Sequence, residues 1–193
     1  MIESDVEGRT VSAVMRLERN GHAGGVIWLT GLSGSGKTTL AASVERALFE
    51  QGRQVWVLDG DSLRRGLCAD LGFSPEDRKE NVRRAGAVAS LFAEAGLICI
   101  AALISPYRSE RELARRIAPK GRFLEVYLNA PLAVCERRDP KGLYARARTG
   151  ELKDFTGISA PYEPPEKPDL ELRTDLLSAA ECSAQLLARI EGM

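Results

Sequence analysis

One short motif near the start of the chain has the residue types and spacing needed to hold a polyphosphate. It runs from Gly31 to Thr38 and matches the pattern G-x-x-x-x-G-K-[ST]. Its glycines let backbone N–H groups surround phosphate oxygens, Lys37 supplies a positive charge, and the Thr38 hydroxyl can ligate Mg²⁺. The motif follows an apolar run and precedes a helical pattern, so it predicts a nucleotide site. The residues assigned to it are Gly31, Ser33, Gly34, Ser35, Gly36, Lys37, Thr38 and Thr39.

Two carboxylates follow the next apolar run of the chain. Asp59 and Asp61 flank Gly60 directly after residues 54–58, where a strand is predicted to end. In phosphoryl transfer, one carboxylate can accept the proton of the attacking alcohol while another takes part in the Mg²⁺ shell. The spacing fits these two roles without deciding which residue has which. Two solvated turn acids are the alternative.

Basic and aromatic residues after the carboxylates suit a second ligand that is anionic and planar. Arg64 and Arg78 can each hold an anionic group through two parallel hydrogen bonds, and Phe73 can stack on a base. These residue types favour a nucleotide-like second substrate. The alternative is a solvated helix face, which is the usual place for a run of charges.

Residues 141–168 are rich in Gly, Pro and charge, and the segment is longer than most connections without regular structure. We interpret it as a mobile lid, because residues 142–148 have a helical pattern and Phe155 and Tyr162 can dock it. Disorder is the alternative. The arginines at 137–138 could close over phosphates and exclude water, or could simply pair with neighbouring acids.

Short apolar runs alternate with amphipathic patterns along the chain. The predicted strands are residues 26–29, 54–58, 97–103, 123–128 and 170–173. The predicted helices are residues 38–51, 76–95, 109–117, 132–137 and 179–191. This alternation predicts an α/β three-layer sandwich of the P-loop NTPase type, with a parallel sheet of about five strands flanked by helices. Ligands of such folds bind beyond the carboxyl ends of the strands.

Size and charge favour one domain that acts on small molecules. The 193 residues suit a single core, with residues 1–20 as an N-terminal extension and 21–193 as the domain. The 27 basic and 27 acidic residues balance, so no overall field favours nucleic acid or an anionic membrane. No apolar run resembles a membrane span or a signal peptide, and a cytoplasmic location is therefore expected.

The absence of two sequence signals argues against a motor ATPase and a GTPase. The third apolar run leads to Ile104 and Ser105, where a motor ATPase would usually carry an acid. The guanine-reading pattern N-K-x-D of GTPases does not occur. The four cysteines form no C-x-x-C pair, which favours structural thiols over a zinc or disulfide role.

Several linked motifs, in order, resemble the adenylylsulfate kinase family, also called the APS kinase family. The resemblance covers the chain from Asn20 onward. It rests on GLSGSGKT at 31–38, LDGDSLRRGL at 58–67, DLGFSPEDRKENVRR at 70–84, ALISPYRSER at 102–111, and the segment 125–170 that begins EVYLNAPLAVCERRDPKGLYARAR. Members of this family transfer the γ-phosphoryl group of ATP to the ribose 3′-hydroxyl of adenosine 5′-phosphosulfate. The resemblance therefore implies ATP and Mg²⁺ as cofactors and adenosine 5′-phosphosulfate as the substrate.

The resemblance also implies roles for individual residues. Lys37 would hold the transferred phosphate, Thr38 and Asp61 would hold the metal, and Asp61 would also act at the reacting hydroxyl. Phe73 and Phe155 would sandwich the adenine of the substrate. The other residues assigned to the substrate are Asp59, Arg64, Arg78, Asn81, Ile104, Ser105 and Lys141. Ser105 matches a family serine that can be phosphorylated, but direct transfer does not require it, so its catalytic role stays open.

Two positions depart from the family pattern, and two rival functions stay open. Ser62 and Cys68 stand where Asn is more usual, which bears on substrate affinity rather than on the reaction class. A nucleoside or small-metabolite kinase would share the phosphate loop and the lid. A regulatory domain that only senses a nucleotide would be expected to have lost its phosphate loop, which is complete here. The sequence does not decide between a monomer, a homodimer and an association with ATP sulfurylase.

Overall fold

The computed structural model describes residues 11–193, so the first half of the predicted N-terminal extension lies outside the described residues. The strands are β1 (Gly25–Thr30), β2 (Val55–Asp59), β3 (Ile98–Ala102), β4 (Phe123–Asn129) and β5 (Leu170–Arg173). The helices are α1 (Ala13–Asn20), α2 (Lys37–Glu50), α3 (Gly60–Arg65), α4 (Pro75–Glu94), α5 (Arg108–Ile117), α6 (Leu132–Arg138), α7 (Leu143–Arg148) and α8 (Ala179–Glu191). Within residues 11–193, no helix is long and apolar enough to cross a membrane.

The five strands form one parallel sheet in the order β2-β3-β1-β4-β5. The predicted fold class is thus confirmed. In the central strand β1, Trp28 pairs with Ala101 of β3 on one side and with Glu125 of β4 on the other. Because the strands are parallel, their carboxyl ends meet at one edge of the sheet, which is the edge where ligands of this architecture bind.

Alternating side chains of β1 supply two separate cores. Ile27 and Leu29 pack with residues of α2 and α8 on one face of the sheet, whereas Val26 and Trp28 pack with residues of α4 on the other. All six residues of the strand are buried, which explains its continuous apolar run. Full burial of such a side chain stabilises the fold by roughly 1.5–3 kcal/mol. The two cores hold the end of β1, and therefore the loop that follows it, in a fixed place.

The helix starts follow from short-range signals, with one informative exception. The Ser74 hydroxyl accepts a hydrogen bond from the backbone N–H of Asp77 over 3.1 Å and so caps α4. Ser178 and Glu181 form a capping box at α8. By contrast, α2 follows Gly36, which has a left-handed φ of 97° and gives no side-chain cap. The first N–H groups of α2 are therefore left for a ligand.

Two helices fall outside the predicted set. In the N-terminal extension, Arg16 and Asn20 of α1 donate hydrogen bonds of 3.3 Å to the carbonyl oxygens of Ala95 and Gly96. The second is α3, which begins inside the Asp-Gly-Asp motif with Asp59 as its N-cap. Both helices are short, so their apolar residues are too few to establish a helical period.

The predicted lid segment is tied to the domain at several points. Its predicted helix is present as α7, and Phe155 and Thr156 are buried. Near its C-terminal end, Arg108 binds the carboxylate of Glu166 at 2.7 Å and the carbonyl oxygen of Pro164 at 2.8 Å. Movement of this segment stays a prediction.

Candidate active site

The loop between β1 and α2 surrounds the amine of Lys37. The Nζ atom donates hydrogen bonds to the carbonyl oxygens of Gly31 at 2.9 Å and Leu32 at 2.7 Å. Gly34 has a left-handed φ of 75°, and a Cβ at this position would lie 2.9 Å from the carbonyl oxygen of Cys135. The loop thus requires glycine there and keeps its lysine near the start of α2, as phosphate binding demands.

Burial lowers the pKa of Lys37 to about 8. The main cause is that the ammonium group loses its hydration shell, while the neighbouring Cys135, Asp59 and Asp61 act in the opposite direction. A bound polyphosphate would add negative charge beside the amine. In the ligand-free loop the nearby negative charge does not offset the desolvation of the Lys37 ammonium group. A bound anion would therefore stabilise the charged form of Lys37.

The two carboxylates of the Asp-Gly-Asp motif have different partners. Thr38 Oγ1 donates a hydrogen bond to Asp59 Oδ2 over 3.1 Å, and Asp59 Oδ1 accepts one from the backbone N–H of Asp61 over 3.0 Å. Asp61 instead forms an ion pair with Lys141 of the predicted lid segment. Both side chains of that pair are more than half exposed, so it contributes less than about 1 kcal/mol and can open readily.

The residues at the phosphate loop fit a magnesium ion. Mg²⁺ in nucleotide sites usually takes one or two carboxylates, with phosphate and water oxygens completing its shell. Thr38 and Asp59 offer such a partial set, and Asp61 lies two residues further on. Nowhere in residues 11–193 do three His, Cys, Asp or Glu side chains gather as a full protein cage. The assignment of the metal to Thr38 and Asp61 stays a prediction; Asp59 is the carboxylate that contacts Thr38.

Two half-buried arginines are held by main-chain carbonyls. Arg64 donates to the carbonyl oxygen of Gly72 over 2.8 Å. Arg78 donates to the carbonyl oxygen of Asp154 over 2.7 Å and to the hydroxyl of Thr156 over 3.3 Å, so it joins α4 to the predicted lid segment. Burial lowers the pKa of both guanidinium groups. The remaining N–H groups of these arginines are held in fixed places for an anionic ligand.

Two buried polar side chains have an atom without a hydrogen-bond partner among the described residues. These atoms are Nδ2 of Asn81 and Oε2 of Glu110, and both side chains are over nine-tenths buried. Burial raises the pKa of Glu110 to about 7, although Arg111 and Arg78 oppose the shift. Buried donors are normally satisfied, so the Asn81 amide fits a group that awaits a ligand.

The two aromatic residues predicted to sandwich a base differ in packing. Phe73 is 59% exposed, and the guanidinium carbon of Arg64 lies 4.2 Å from its ring centroid. Phe155 is buried and packs edge-to-face on Tyr144 with centroids 5.0 Å apart. The exposed ring of Phe73 can therefore still stack on a ligand, whereas Phe155 is already part of a small core. The sandwich itself stays a prediction.

Ser105 is held inside the protein rather than offered to a reagent. It is 2% exposed, and its Oγ accepts a hydrogen bond from Trp28 Nε1 over 3.0 Å. The same Oγ donates to Thr30 Oγ1 over 3.1 Å. A phosphoryl group on this oxygen would replace the hydrogen that it donates to Thr30 and would have to fit into a buried position. The geometry favours a supporting role, and the catalytic role stays a prediction.

One cavity of about 1210 Å³ brings the predicted site residues together. All of them line it except Gly31. The cavity lies at the carboxyl ends of β1, β2 and β3, as the α/β architecture predicts. Its volume exceeds that of most single-ligand pockets and is sufficient for two nucleotides side by side.

Apart from Arg138, the sequence did not identify the part of this cavity near β5 and α8. Arg138 Nη1 donates to the carbonyl oxygen of Gly34 over 3.2 Å, and Thr174 Oγ1 donates to that of Ser35 over 2.9 Å. Leu177 and Cys182 line the same region. Thr174 directly follows a predicted strand, so the rule that pointed to Asp59 could have found it. Nothing in the sequence pattern singles out Leu177 or Cys182.

Comparisons with known proteins agree on one family. The family model described as Adenylylsulphate kinase matches residues 23–173. The adenylyl-sulfate kinase of Acaryochloris marina is 53% identical over 178 residues, which cover 92% of this chain and 87% of that protein. The adenylyl-sulfate kinase of an Enterobacter species is 57% identical over 162 residues, which cover 84% of this chain and 81% of that protein.

Solved structures give the same result. The Mycobacterium tuberculosis APS kinase CysC, solved in complex with AMPPNP and APS, has a TM-score of 0.83 at 49% identity and covers 88% of this chain and 98% of its own. A gluconokinase from Sinorhizobium meliloti has a TM-score of 0.59 at 20% identity, over 87% of this chain and 92% of its own. The second likeness concerns the fold alone.

Proposed function

The chain belongs to the adenylylsulfate kinase family, and from that premise we propose that its cavity transfers the γ-phosphoryl group of ATP to the 3′-hydroxyl of adenosine 5′-phosphosulfate. The product is 3′-phosphoadenosine 5′-phosphosulfate, the activated form of sulfate. The observation that carries the proposal is the shared cavity. It joins a complete phosphate loop at Lys37 to a second set of residues, among them Asp61, Arg78 and Phe73, that suits an anionic nucleotide acceptor.

In this proposal the donor nucleotide occupies the phosphate loop. Lys37 exchanges its bonds to the loop carbonyls for phosphate oxygens, and the first N–H groups of α2 bind the same anion. The nucleoside of ATP extends toward Arg138 and Thr174, which already connect the loop to the end of β5. The donor half of the cavity is thus built from β1, α2, α6 and the segment after β5.

Thr38 and the carboxylate of Asp59 are the residues that would hold Mg²⁺ in this proposal. When bound, Mg²⁺ neutralises phosphate charge and orients the triphosphate. Asp59 serves this role through its contact with Thr38, which leaves Asp61 for the acceptor hydroxyl. In this proposal the two acids have separate roles, Asp59 at the metal and Asp61 at the acceptor hydroxyl.

Asp61 accepts the proton of the 3′-hydroxyl as that oxygen attacks. A bond forms between the 3′-oxygen and the γ-phosphorus, the bond from the γ-phosphorus to the β,γ-bridging oxygen breaks, and ADP leaves with the electron pair. Lys141 holds the Asp61 carboxylate in the ligand-free protein, and substrate binding exchanges that exposed pair for contacts to the acceptor. Positioning and charge neutralisation supply most of the rate enhancement.

The acceptor half of the cavity recognises a base and an anionic tail. Phe73 and Phe155 stack on the adenine, and Arg64 and Arg78 bind the phosphosulfate. The Nδ2 atom of Asn81, which has no hydrogen-bond partner among the described residues, donates to the ribose or to the phosphosulfate. Arg78 also binds Asp154 and Thr156, so acceptor binding is coupled to the position of the predicted lid segment.

An acceptor panel tests this proposal. The purified protein is incubated with Mg-ATP and, separately, adenosine 5′-phosphosulfate, adenosine monophosphate, gluconate or no acceptor, and the products are separated and weighed by mass spectrometry. The proposal is supported if adenosine 5′-phosphosulfate gains the mass of one phosphoryl group while the incubations with the other acceptors stay near background. Faster transfer to gluconate or to adenosine monophosphate would show instead that the protein is a metabolite kinase. Binding of ATP and adenosine 5′-phosphosulfate, measured separately, without any conversion would indicate a regulatory domain.

A further inference from the structure

Arg111 of α5 is a fully buried arginine that contacts three separate segments of the chain. Its side chain is 2% exposed. Its Nη1 donates to the carbonyl oxygen of Ser105, its Nη2 to the carbonyl oxygen of Glu163, and its Nε to the carboxylate of Glu125, each at 2.7 Å. Glu125 supplies the counter-charge that a buried guanidinium needs. The fold therefore holds the Arg111 guanidinium in one place, from which it donates to the carbonyl oxygens of Ser105 and Glu163.

The Ser105 carbonyl belongs to a strained piece of backbone. Ser105 has a φ of 40°, in the left-handed region that is unfavourable for a non-glycine residue. Such a conformation persists only where the surroundings hold it. Arg111 holds the carbonyl, and Trp28 and Thr30 hold the hydroxyl.

The segment that contains Ser105 lies between the two sets of residues that the proposed function assigns to donor and acceptor. Strand β3 stands between β2 and β1 in the sheet, so residues 104–106 follow β3 between the Asp-Gly-Asp motif and the phosphate loop. Residues 104–106 all line the cavity. They therefore form the floor between the donor phosphates and the acceptor carboxylate. A displacement of about 1 Å in such a position can reduce turnover 100-fold.

The same floor is tied to the predicted lid segment. The backbone N–H of Glu163 donates to the carbonyl oxygen of Pro106 over 2.8 Å, and Tyr162 lies 3.0 Å from Thr30 Oγ1. Thr30 donates its one hydroxyl hydrogen to the carbonyl oxygen of Ile104 at 2.8 Å, so it accepts from Tyr162 and Ser105. Arg111 is the side chain that bonds to both Ser105 and Glu163.

We propose that Arg111 is a positioning residue for phosphoryl transfer: it fixes residues 104–106 and joins them to the C-terminal part of the predicted lid segment. The inference rests on the proposed function, because it concerns the geometry of that reaction. Arg111 itself does not line the cavity and is buried beneath its floor. Its loss should therefore affect the chemical step more than the binding of ATP.

The test compares Arg111→Lys with Arg115→Lys. Arg115 lies one turn further along α5 and shares Glu125 as a partner at 3.7 Å, but its principal contact is Asp169 at 2.6 Å and it has no bond to Ser105. Lysine keeps a positive charge for Glu125 in both variants but cannot bond two carbonyls and a carboxylate in fixed geometry. For each protein one measures kcat and KM for adenosine 5′-phosphosulfate, the Kd for ATP, and the melting temperature.

We expect Arg111→Lys to lower kcat at least tenfold while the Kd for ATP stays within twofold, and Arg115→Lys to keep both values. Wild-type kcat in Arg111→Lys, or an equal loss in both variants, would overturn the proposal. Should Arg111→Lys melt below the assay temperature, Glu125→Gln is measured instead; a kcat loss with normal ATP binding supports the role, and unchanged kcat overturns it. Failure of the proposed function would be distinct, since the wild-type protein would then not convert the phosphosulfate at all.

Discussion

The hydroxyl of Thr38 donates a hydrogen bond to the carboxylate of Asp59 over 3.1 Å, which joins the start of α2 to the end of β2. Asp61, only two residues further on, has its carboxylate on Lys141 instead. The two acids of one motif thus have different neighbours. Replacing each acid should therefore change a different kinetic property of the enzyme.

Asp59→Asn should raise the Mg²⁺ concentration needed for half-maximal activity about tenfold, because an amide is a weaker ligand for Mg²⁺ than a carboxylate. Asp61→Asn should instead lower kcat about 100-fold or more, because the acceptor hydroxyl loses its proton acceptor. Its ATP affinity should stay near that of the wild type. Initial rates over a Mg²⁺ series, with ATP binding measured separately, distinguish the two. Identical Mg²⁺ profiles and identical kcat losses would contradict this division of roles.

The pKa of Lys37, lowered by burial to about 8, predicts pH-dependent ATP binding. Only the charged amine attracts phosphates, so affinity should fall by about tenfold between pH 8 and 9.5, as the ligand-free lysine loses its proton. Calorimetry in buffers of different ionisation enthalpy should also show proton uptake on binding near pH 8. Lys37→Arg serves as the control, since a guanidinium stays charged across this range. A flat wild-type affinity from pH 7.5 to 9.5 would exclude the titration.

Replacing Phe73 or Phe155 by alanine should have different effects on the stability of the protein but similar effects on acceptor binding. Phe73 is 59% exposed, so Phe73→Ala should change the free energy of unfolding by less than about 0.5 kcal/mol. Phe155→Ala removes a buried ring and should cost about 3 kcal/mol. Both variants should raise the KM for adenosine 5′-phosphosulfate several-fold while leaving the Kd for ATP unchanged. Urea denaturation and steady-state kinetics make the comparison, and an unchanged acceptor KM in Phe73→Ala would remove that residue from the site.

Glu110 predicts a pH-dependent stability. Its pKa is about 7 in the folded chain against an ordinary value of 4.5, so the folded state binds the proton more strongly than the unfolded state. The free energy of unfolding contributed by this group is highest below pH 4.5 and is lost as the pH rises to about 7. Glu110→Gln should therefore be more stable than the wild type at pH 8, by a margin that shrinks toward pH 5.

The matched control is Glu112→Gln on the same helix, since that side chain is exposed. It should follow the wild-type stability at both pH values. A difference between Glu110→Gln and the wild type that is constant from pH 5 to 8 would show that Glu110 does not titrate in this range.

The fold could be predicted because its signals are local and repeated. The apolar run of β1 and the glycines of the phosphate loop are each decided by neighbours in the chain, and strand β5 and helix α8 have the predicted bounds. α3 could not be predicted in this way, because its six residues contain too little apolar periodicity. Its start depends on Asp59 acting as N-cap, a role that the two-carboxylate pattern did not indicate.

The candidate site was predicted where one residue type has one chemical use, as with Lys37 and Thr38. The sequence gives no such signal where a residue's place depends on packing between distant segments. The family resemblance pointed to Ser105 but left its role open, and only the fold shows that its hydroxyl is buried and bonded to Trp28 and Thr30. Arg111 ends the motif at 102–111 but was given no role, because its three partners come together only when residues 104–106, strand β4 and residues 162–163 pack around α5.

The proposed acceptor is tested by the ratio of kcat/KM for adenosine 5′-phosphosulfate to kcat/KM for adenosine monophosphate, measured with saturating Mg-ATP on one preparation. The two acceptors share the base and the ribose 3′-hydroxyl and differ in the sulfate. We predict a ratio of at least about 100, because two charge-assisted contacts from Arg64 and Arg78 would be weakened without the second anionic group. A ratio near one, or transfer to neither acceptor with ATP bound, would contradict it.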